Sequence, residues 1–452
     1  MTQEIFDIKY NVKDPAILDV IAQAYSCKIV GESNNIKVLF CACISRNLPR
    51  KYRLSAIIAS QSSAGKSNLV NSVLAPFKND VIDYTEYTQA FLKRQIAFSM
   101  DGKIFKMEQM EKTNENKQAS IGSLKFLLTE GKLRVGLVER DQTGKQTPTT
   151  LEVNGIPVFI STSTNFNIDP ETLNRTFLMQ VDESEEQTKR IVSHIFDGYA
   201  TLTINDRWEA ETRELEKLVE IYKGLCHQIT DIIIPFGKKI IDRIPTSQIT
   251  IRRDLQKILN LTCVIAFLHA SNRIRIQDVD GKQFLTGSFG EMEERFTYAL
   301  IAEPSDFKEA LEIAGSTIKQ TLNKLNESSM DTFQKIKQAC YQKASENRTQ
   351  QTLDSLSDDE GITVKEMAVI LRKSDNRTRE LMNQLWNSGF LHREKTKSKE
   401  YLYSLTDKEF EKIAIDDIEF TSEELEQWVK EQTGMHPEKL KVLQPSDSGI
   451  VS

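Results

Sequence analysis

The apolar positions in the first half of the chain switch between helical and strand spacing. Residues 16–22 and 38–44 repeat apolar side chains at helical intervals, with a polar turn at 30–35 between them. Residues 1–50 are therefore predicted to form a helical N-terminal lead-in. The run 54–59 is short and apolar, which predicts a buried strand, and a glycine-containing loop and a helix at about 66–74 are expected to follow.

Residues 81–200 continue this alternation of strand and helix. The better strand signals are at 104–107, 133–139, 149–153 and 157–162, and the helical signals are near 87–98, 119–129 and 185–196. Strands that alternate with helices predict a mainly parallel sheet with helices on both faces. We therefore expect an α/β core domain at 51–204.

The second half of the chain shows a different pattern. Strand signals fade from about residue 205, and helical patterns at 208–224 and 254–271 predict a helical lid domain over 205–327. A polar linker is expected at 328–360. At 361–406, a capping box from Thr363 to Glu366, a second helix capped by Ser374, and two strands around a basic tip form the pattern of a winged helix. Residues 407–452 are predicted to be an acidic C-terminal tail.

Composition narrows the class of protein. The chain has 452 residues, of which 39% are hydrophobic and 27% charged, as in a globular protein of two or three domains. No apolar run approaches the roughly 18 residues of a membrane helix, and the N-terminus lacks the pattern of a signal peptide, so a cytoplasmic location is expected. Six cysteines lack metal-ligand spacing. A net charge of −6 argues against a wholly basic coat for nucleic acid but allows a local basic surface.

The segment after the 54–59 strand has the parts of a phosphate-binding P-loop. Backbone amides and a helix N-terminus favour an anion there, a lysine binds the β- and γ-phosphates, and a hydroxyl binds Mg²⁺. We assign ATP binding to Ser62, Ser63, Ala64, Gly65, Lys66, Ser67 and Asn68, with Ser67 as a metal ligand. Ser60 stands where the first glycine of the motif is usual, and a chance Gly-Lys-Ser before a helix is the alternative.

Two later strands end in residues suited to hydrolysis. Glu108 follows the 104–107 strand and is predicted to bind Mg²⁺ and to orient the attacking water, with Glu111 sharing or owning the role. Asn165, or Thr164 instead, follows the 157–162 strand and is a candidate contact to the γ-phosphate or the water. A solvated acid and an ordinary loop asparagine are the simpler alternatives.

Arginines supply candidate contacts to transition-state charge. Arg175 lies between a short helix and an apolar strand, where a ring ATPase places an arginine finger that reaches the neighbouring subunit. A structural salt bridge is the alternative. Arg253, or Arg252 beside it, opens a helix and is a candidate to contact the nucleotide of its own subunit.

Basic residues mark candidate contacts with DNA. The segment 134–148 is predicted to be a β-hairpin, with Arg140 and Lys145 at its tip placed to hold phosphates of a single strand. The winged-helix pattern places Arg377 and Arg379 in the first turn of its second helix and Lys397 in the wing, for contact with duplex DNA. Ordinary surface charge, and a winged helix that binds protein, remain as alternatives.

The chain resembles the helicase-like AAA+ ATPases of phages, plasmids and integrated elements, of the primase-associated type, which are distantly similar to minichromosome-maintenance helicases. The resemblance covers about residues 25–275. The segments that carry it are Ile29-Val30-Gly31-Glu32, Ser45-Arg46, Ser62 to Ser67, Leu127 to Gly131, Leu173-Asn174-Arg175, Val181 to Thr188 and Ile251 to Asp254. It implies a P-loop AAA+ parallel sheet with helices on both faces, then a helical lid domain and a C-terminal winged helix. Two features depart from the usual pattern: Ser60 in the phosphate loop, and the weak acidic pair near Glu108 in place of the usual Asp-Glu pair.

These features lead to an ATP hydrolase with ATP and Mg²⁺ as cofactors. The leading hypothesis is a DNA helicase or translocase that acts as a homo-hexameric ring in replication of a mobile genetic element. A primase or another replication protein is an expected partner, and no membrane is involved. The alternative is a non-motor AAA+ DNA-binding switch, such as a replication initiator, a helicase loader or a transposition regulator. A scaffold that binds nucleotide without turnover is a third option.

Overall fold

The computed structural model describes residues 9–84, 100–108, 128, 130–140, 146–164, 168, 170–173, 175–200, 204–241, 243–244, 251–286, 292–315, 327–350, 361–395, 400–408, 420–434 and 440–445. The chain divides into two compact units. The first contains residues 1–243, 252–314 and 415–452, and the second contains residues 244–251 and 315–414.

The helices are α1 Ile17–Ala24, α2 Ser33–Ser45, α3 Lys66–Leu74, α4 Pro170–Leu173, α5 Glu185–Ala200, α6 Ile204–Cys226, α7 Gly237–Ile241, α8 Ile251–Leu268, α9 Pro304–Ile313, α10 Glu327–Gln350, α11 Val364–Leu371, α12 Asp375–Asn387 and α13 Ser422–Gly434. The strands are β1 Ala56–Ala59, β2 Val81–Tyr84, β3 Ile104–Met107, β4 Lys132–Arg140, β5 Gln146–Asn154, β6 Val158–Ser163, β7 Phe177–Met179, β8 Ile229–Ile233, β9 Arg275–Thr286, β10 Met292–Ile301, β11 Ile362–Thr363, β12 Leu391–Lys395, β13 Tyr401–Leu405 and β14 Leu440–Leu443. Short 3-10 helices lie at Tyr25–Cys27, Arg50–Tyr52, Ala75–Asp80 and Ala270–Asn272.

A five-stranded sheet forms the centre of the first unit, with strand order β2-β3-β6-β1-β7. Every pairing in it is parallel, as predicted for the α/β core. Its interior strands are apolar and buried, because helices and loops must cover a parallel sheet on both faces. Ile57, Phe105 and Phe159 have no exposed surface, and the two phenylalanine rings stack with centroids 6.2 Å apart.

The N-terminal lead-in is helical, as predicted, and packs against this core. Apolar positions of α2 such as Phe40 and Cys41 are fully buried. Arg46, at the end of α2, is 1% exposed; its guanidinium donates to Asp80 at 2.8 Å and lies 5.0 Å from the ring of Phe77. Five of the six cysteines are buried, as is usual for small apolar side chains.

The prediction that residues 205–327 are helical throughout is wrong. Strands β8, β9 and β10 lie in this region and form a four-stranded sheet with β14, in the order β14-β9-β10-β8. The sequence signal for β9 is weak because Asp280 and Gly281, which are typical of turns, interrupt it, and Glu293 to Arg295 give β10 a charged start. The two strands pair with each other as an antiparallel hairpin, and β8 and β14, which are more distant in the sequence, pair with β10 and β9.

The C-terminal residues are also more structured than a simple tail. Within 407–452, α13 is helical and β14 pairs antiparallel with β9, from Leu440 opposite Asp278 to Leu443 opposite Arg275. The side chain of Lys239 donates to Glu424 of α13 at 2.6 Å. These residues therefore complete a sheet of the first unit.

A buried ionic network joins the end of α8 to the start of α9. Asp306 is fully buried and accepts hydrogen bonds from Arg273, at 2.6 and 3.0 Å, and it lies 3.2 Å from the Nδ1 atom of His269. Burial alone would raise the pKa of Asp306, but the hydrogen bonds from His269 and Arg273 outweigh it and hold the pKa below its usual value. Asp306 also forms a capping box with Glu303 at the start of α9.

In the second unit, the two helices and the hairpin predicted for 361–406 are present. Thr363 accepts a hydrogen bond from the amide of Glu366 as the capping box requires, and Ser374 caps α12. The three-stranded sheet has the order β11-β13-β12. An apolar core joins α10 to these elements through Phe333, Ile336, Met367, Met382, Leu385, Phe390 and Tyr403.

We predict that Asp306→Asn destabilises the protein by about 3–5 kcal/mol, because it leaves the buried guanidinium of Arg273 without its counter-charge. The free energy of unfolding from urea titration measures the loss. Because the folded-state pKa is depressed, the contribution of Asp306 is present above the unfolded pKa and disappears as the pH falls through the folded value. The mutant should therefore lose its deficit in strong acid; a deficit that does not change with pH would contradict the ionic account.

Candidate nucleotide-binding site

The predicted phosphate loop follows β1, and α3 begins directly after it at Lys66. Gly65 adopts a φ of 88°, a left-handed conformation that favours glycine, and this turn aims the chain into α3. Residues 61–63 and Ser67 are exposed, whereas Lys66 is only 8% exposed. The loop therefore surrounds a buried cation at the N-terminus of a nine-residue helix, which is a suitable geometry for an anion.

Ser60 has a specific place in this loop. Its amide donates to the carbonyl of Ser163 at 3.1 Å, which extends the pairing of β1 with β6. Its hydroxyl donates to the carbonyl of Ala59 at 2.8 Å and accepts from the amide of Val181 at 3.0 Å. The serine thus ties the start of the loop to the residues after β7, a function that glycine does not provide.

Lys66 folds back along the loop. Its Nζ atom donates to the carbonyl of Ser60 at 2.7 Å and also contacts the carbonyl of Gln61. Burial lowers the pKa of Lys66, and the negative charge of Glu183 acts in the opposite direction. The ammonium group is therefore held at the base of the loop by neutral acceptors, where an incoming phosphate gains a charged partner.

One backbone amide of the loop donates a hydrogen bond to a carboxylate. Glu183 accepts a hydrogen bond from the amide of Gln61 at 2.8 Å. An acidic side chain on a loop amide has the same charge and acceptor chemistry as a phosphate oxygen. This contact shows that the amide of Gln61 is directed at an anion.

A cavity of about 670 Å³ adjoins the loop, within the roughly 300–1,000 Å³ usual for small-molecule sites. Its walls come from the lead-in before α2, from the start of α3 and from α5. The residues that line the cavity are Cys27, Lys28, Ile29, Val30, Glu32, Ala64, Gly65, Asn68, Leu69, Val181, Gln187, Ile191, His194, Ile195, Gly198 and Tyr199. Three of the residues predicted to bind ATP, Ala64, Gly65 and Asn68, thus form part of its wall.

The segment Val181 to Thr188 builds one side of this cavity. Asp182 donates from its amide to Glu32 at 2.7 Å, and the hydroxyl of Ser184 accepts from the amide of Gln187 at 3.1 Å in the first turn of α5. Gln187 in turn donates from Nε2 to the carbonyl of Val30 at 2.6 Å. Sequence reasoning used this segment only as part of a family resemblance and did not predict its place in the site.

Glu108 lies at the expected end of β3. The register pairs Met107 with Ser161 on β6, and Ala59 with Ser163, so Glu108 lies near the strand ends that bear the phosphate loop. Its carboxylate contacts the buried ammonium of Lys106 at 3.3 Å, and Lys106 also binds Asp83 at 2.8 Å. Glu111 and Asn165 lie outside the described residues, although β6, which leads to Asn165, does separate β3 from β1.

Arg175 lies at the other end of the same sheet, where the strands begin. It follows α4 and precedes β7, as predicted, and β7 begins at Phe177, which pairs with Ala56 at the start of β1. Ala56 and Ser60 are four residues apart, which corresponds to roughly 13 Å along the strand. An arginine side chain is much shorter than this, so Arg175 does not reach the phosphate loop of its own chain.

Lys257 of α8 fixes the backbone on both sides of Arg175. Its Nζ atom donates to the carbonyls of Leu173 and Thr176, each at 3.2 Å, and binds Asp254 at 2.7 Å. Arg253 is exposed one helical turn before Lys257, so it lies on the side of the sheet that carries Arg175. Sequence reasoning did not identify Lys257.

The predicted DNA-binding residues lie on two separate features. Strands β4 and β5 form an antiparallel hairpin whose stem pairs Lys132 with Asn154 and Arg140 with Gln146; Lys145, which comes between the two strands in the sequence, lies outside the described residues. Its base is held to the sheet by the amide of Met100, which donates to the carbonyl of Asn154 at 3.1 Å. Nine residues per strand give a length of roughly 30 Å.

The second unit carries the other three. Arg377 and Arg379 are exposed at the start of α12, where Arg377 donates to Glu380 at 2.9 Å. Lys397 lies outside the described residues, between β12 and β13. On the hairpin, Arg393 lies 3.6 Å from the ring centroid of Trp386 and 4.4 Å from that of Tyr401.

Comparison with known proteins gives a limited result. No family model and no curated protein matches the chain. A full-length MCM homolog from Methanopyrus kandleri aligns at 13% identity and a TM-score of 0.35, over 67% of this chain and 59% of its own. JCV helicase aligns at 14% identity and a TM-score of 0.28, over 55% of this chain and 63% of its own. The C-terminal region of NrS-1 aligns at 13% identity and a TM-score of 0.24, over 67% of this chain and 79% of its own.

This chain therefore spans less than two thirds of the first two of these proteins. At such identities and scores the likeness concerns the fold alone and carries no argument about activity. In the part of the chain that the structure describes, no helix has the length and apolar content needed to cross a membrane. Within the same residues, no cluster of three or more His, Cys, Asp or Glu residues suggests a protein-only metal site.

Proposed function

We propose that this protein is an ATP-hydrolysing AAA+ motor that moves along or unwinds DNA as a ring of identical subunits. One observation carries the nucleotide part of the proposal. A buried strand, β1, ends in a loop that contains the buried Lys66, and Ala64 and Gly65 of this loop line a cavity of about 670 Å³ at the start of α3. This arrangement suits a phosphate chain on the loop and a nucleoside in the cavity.

Mg²⁺ fits the oxygen donors available near this loop. Ser67 offers an exposed hydroxyl in the first turn of α3, and Glu108 offers a carboxylate at the end of β3. Hydroxyl and carboxylate oxygens are suitable ligands for this hard cation, which also binds the phosphates of the nucleotide. When bound, the ion supplies charge to the β- and γ-phosphates, while Lys66 positions them.

The position of Arg175 supports an assembly of several subunits. It precedes β7 at the end of the sheet where the strands begin, whereas the phosphate loop of its own chain follows the last residue of β1, so a contact with phosphate requires a second copy. We infer that Arg175 of one subunit completes the site of the next, and that Lys257 holds Arg175 in place. Arg253 lies beside this end of the sheet as well, which favours a contact with the neighbour's nucleotide over one with its own.

DNA contact is proposed for the β4–β5 hairpin and for the second unit. A hairpin with a stem of roughly 30 Å, with Arg140 at the end of β4 and Lys145 just before β5 in the sequence, suits successive phosphates in a central channel. The helix pair α11–α12 followed by the β12–β13 hairpin has the arrangement of a winged helix, with Arg379 and Lys397 directed to duplex DNA in the proposal. The setting in a mobile genetic element and a primase partner rest on the sequence resemblance.

The predicted range of the helical lid domain, 205–327, contains α7, α8, α9 and most of α6 together with β8, β9 and β10, and we propose that α6, α7 and α8 form the lid. Within this proposal, α8 is the element that matters, since it carries both Lys257 and Arg253.

A non-motor DNA-binding switch is favoured by one observation. Glu108, the acid nearest the phosphate loop on β3, is paired with the buried Lys106. A carboxylate oxygen that contacts a lysine ammonium is less available to accept a hydrogen bond from the attacking water molecule, which favours slow hydrolysis. A forked DNA substrate distinguishes the two functions, because a motor displaces the annealed strand in the presence of ATP and a switch binds the fork without displacing it.

We predict that Lys66→Ala lowers ATP turnover at least 100-fold while the protein stays folded, because the β- and γ-phosphates lose their charged partner. Steady-state phosphate release measures turnover, and circular dichroism checks folding. Lys13→Ala, which alters an exposed lysine, is the control and should keep wild-type turnover. Full turnover by the Lys66 variant would show that hydrolysis takes place elsewhere.

Arg175→Ala should also lose turnover while it retains ATP binding, because only the neighbour's site is affected. Mixing this variant with Lys66→Ala should restore part of the activity, since some interfaces then combine an intact Lys66 with an intact Arg175. The control mixture contains Lys66→Ala and the double variant Lys66→Ala/Arg175→Ala, which forms no complete interface. No rescue in the first mixture would contradict a shared site.

Charge reversal at the hairpin, Lys145→Glu, should weaken binding of single-stranded DNA and spare the basal ATP turnover. The dependence of log Kd on log salt should become shallower, by about one unit for each lost phosphate contact. Fluorescence anisotropy of a labelled oligonucleotide at several salt concentrations measures both quantities. Lys13→Glu makes the same charge change outside the hairpin; equal losses from both variants would remove the hairpin from the mechanism.

A further inference from the structure

Gln187 combines two unusual properties in the wall of the cavity. Its side chain is 1% exposed, and its Oε1 atom is buried without a hydrogen-bond partner among the described residues. A buried acceptor that lacks a partner costs about 1–3 kcal/mol, so proteins rarely keep one unless a ligand or water uses it. Gln187 is also one of the residues that line the cavity beside the phosphate loop.

The orientation of this amide is fixed by its surroundings. Nε2 donates to the carbonyl of Val30 at 2.6 Å, and the flipped amide would place two acceptor oxygens at that distance. Gly31 closes the other side, because a Cβ atom there would lie 2.8 Å from both Nε2 and Oε1. The side chain therefore presents an acceptor and has little freedom to present its donor instead.

The backbone of Gln187 is equally constrained. Its amide donates to the hydroxyl of Ser184, which caps α5, and the amide of Ser184 donates to Asp182 at 2.9 Å. Asp182 is joined to Glu32 on the opposite wall of the cavity. These contacts hold Gln187 at a fixed place relative to the loop that begins at Ser60.

Part of the remaining cavity wall is apolar and suits a group with apolar faces, such as an aromatic ring. Leu69 of α3 and Val181 contribute apolar surface, and Ile191 and Ile195 are one helical turn apart on α5. A purine ring has this shape, and adenine carries an exocyclic amino group that donates hydrogen bonds. Hypoxanthine has a carbonyl oxygen at the same position and offers no donor there.

We propose that Gln187 is a specificity-determining residue, whose Oε1 accepts a hydrogen bond from the 6-amino group of adenine and thereby selects adenine over 6-oxo purines. This inference rests on the proposed nucleotide function and goes beyond it by naming the residue and the atom that recognise the base. A 6-oxo base would set two acceptors against each other in a buried place, and a site built around a hydrogen bond rejects such an analogue strongly. Gln187 acts on binding and takes no part in hydrolysis.

The experiment compares the dissociation constants of ADP, IDP and the diphosphate of unsubstituted purine riboside, measured by calorimetry on the full-length chain with Mg²⁺. ADP should bind roughly tenfold or more tightly than IDP, with the unsubstituted purine between them. Gln187→Met removes the acceptor, so it should bring the ratio of IDP to ADP dissociation constants close to one. Gln256→Met, an exposed glutamine on α8, should keep the wild-type ratio.

The ratio separates recognition from a purely structural role, since loss of the Val30 contact alone would weaken both nucleotides equally. A wild-type protein that binds ADP and IDP equally well would overturn the proposal without any variant, as would an unchanged ratio in Gln187→Met. If both nucleotides bind alike and Lys66→Ala abolishes both, the nucleotide function stands and the base selection fails. If the wild-type protein binds neither, both proposals fail.

Discussion

The hydrogen bonds made by the short segment between β7 and α5 are the constraint on which the site depends. Val181 donates to the hydroxyl of Ser60, and Glu183 accepts from the amide of Gln61. The same segment reaches the lead-in, where the amide of Asp182 donates to Glu32. One stretch of backbone thus connects the phosphate loop with the far wall of the cavity, and neither part is positioned without it.

This constraint has an electrostatic side. Burial lowers the pKa of Lys66, and it raises that of Glu32 against hydrogen bonds from Asp182 and Asn35. Both groups are held where desolvation strengthens their interaction with a charged ligand. The ammonium group of Lys66 has lost water and has only neutral carbonyl partners, so an anion would stabilise it. This is consistent with a buried Lys66 among exposed loop residues.

Local patterns predicted the part of the fold that local chemistry determines. The bounds of α3 and β3 agree with the sequence prediction, because a buried apolar strand and a glycine before a helix are short-range signals. Strands β9 and β10 were missed because Asp280, Gly281 and the charged residues Glu293 to Arg295 weaken their strand pattern, and β8 was missed because its partner β10 is distant in the sequence. The contact of Gln187 with Val30 joins residues 157 positions apart, so no spacing could reveal it. By contrast, Lys106 and Glu108 are two positions apart, so an extended chain places them on the same face. This signal was present in the sequence and was not used.

The separation of Arg175 from its own phosphate loop has a consequence for symmetry. In the proposed assembly, the end of the sheet where the strands begin in one subunit contacts the end where the strands finish in the next. These are two different surfaces, so the contact is head-to-tail. Such a contact is never saturated in a pair of molecules, because one surface of each kind is left over. Growth stops only when the rotation between successive copies adds up to a full turn. Small changes in that rotation therefore decide between a closed circle and an open spiral.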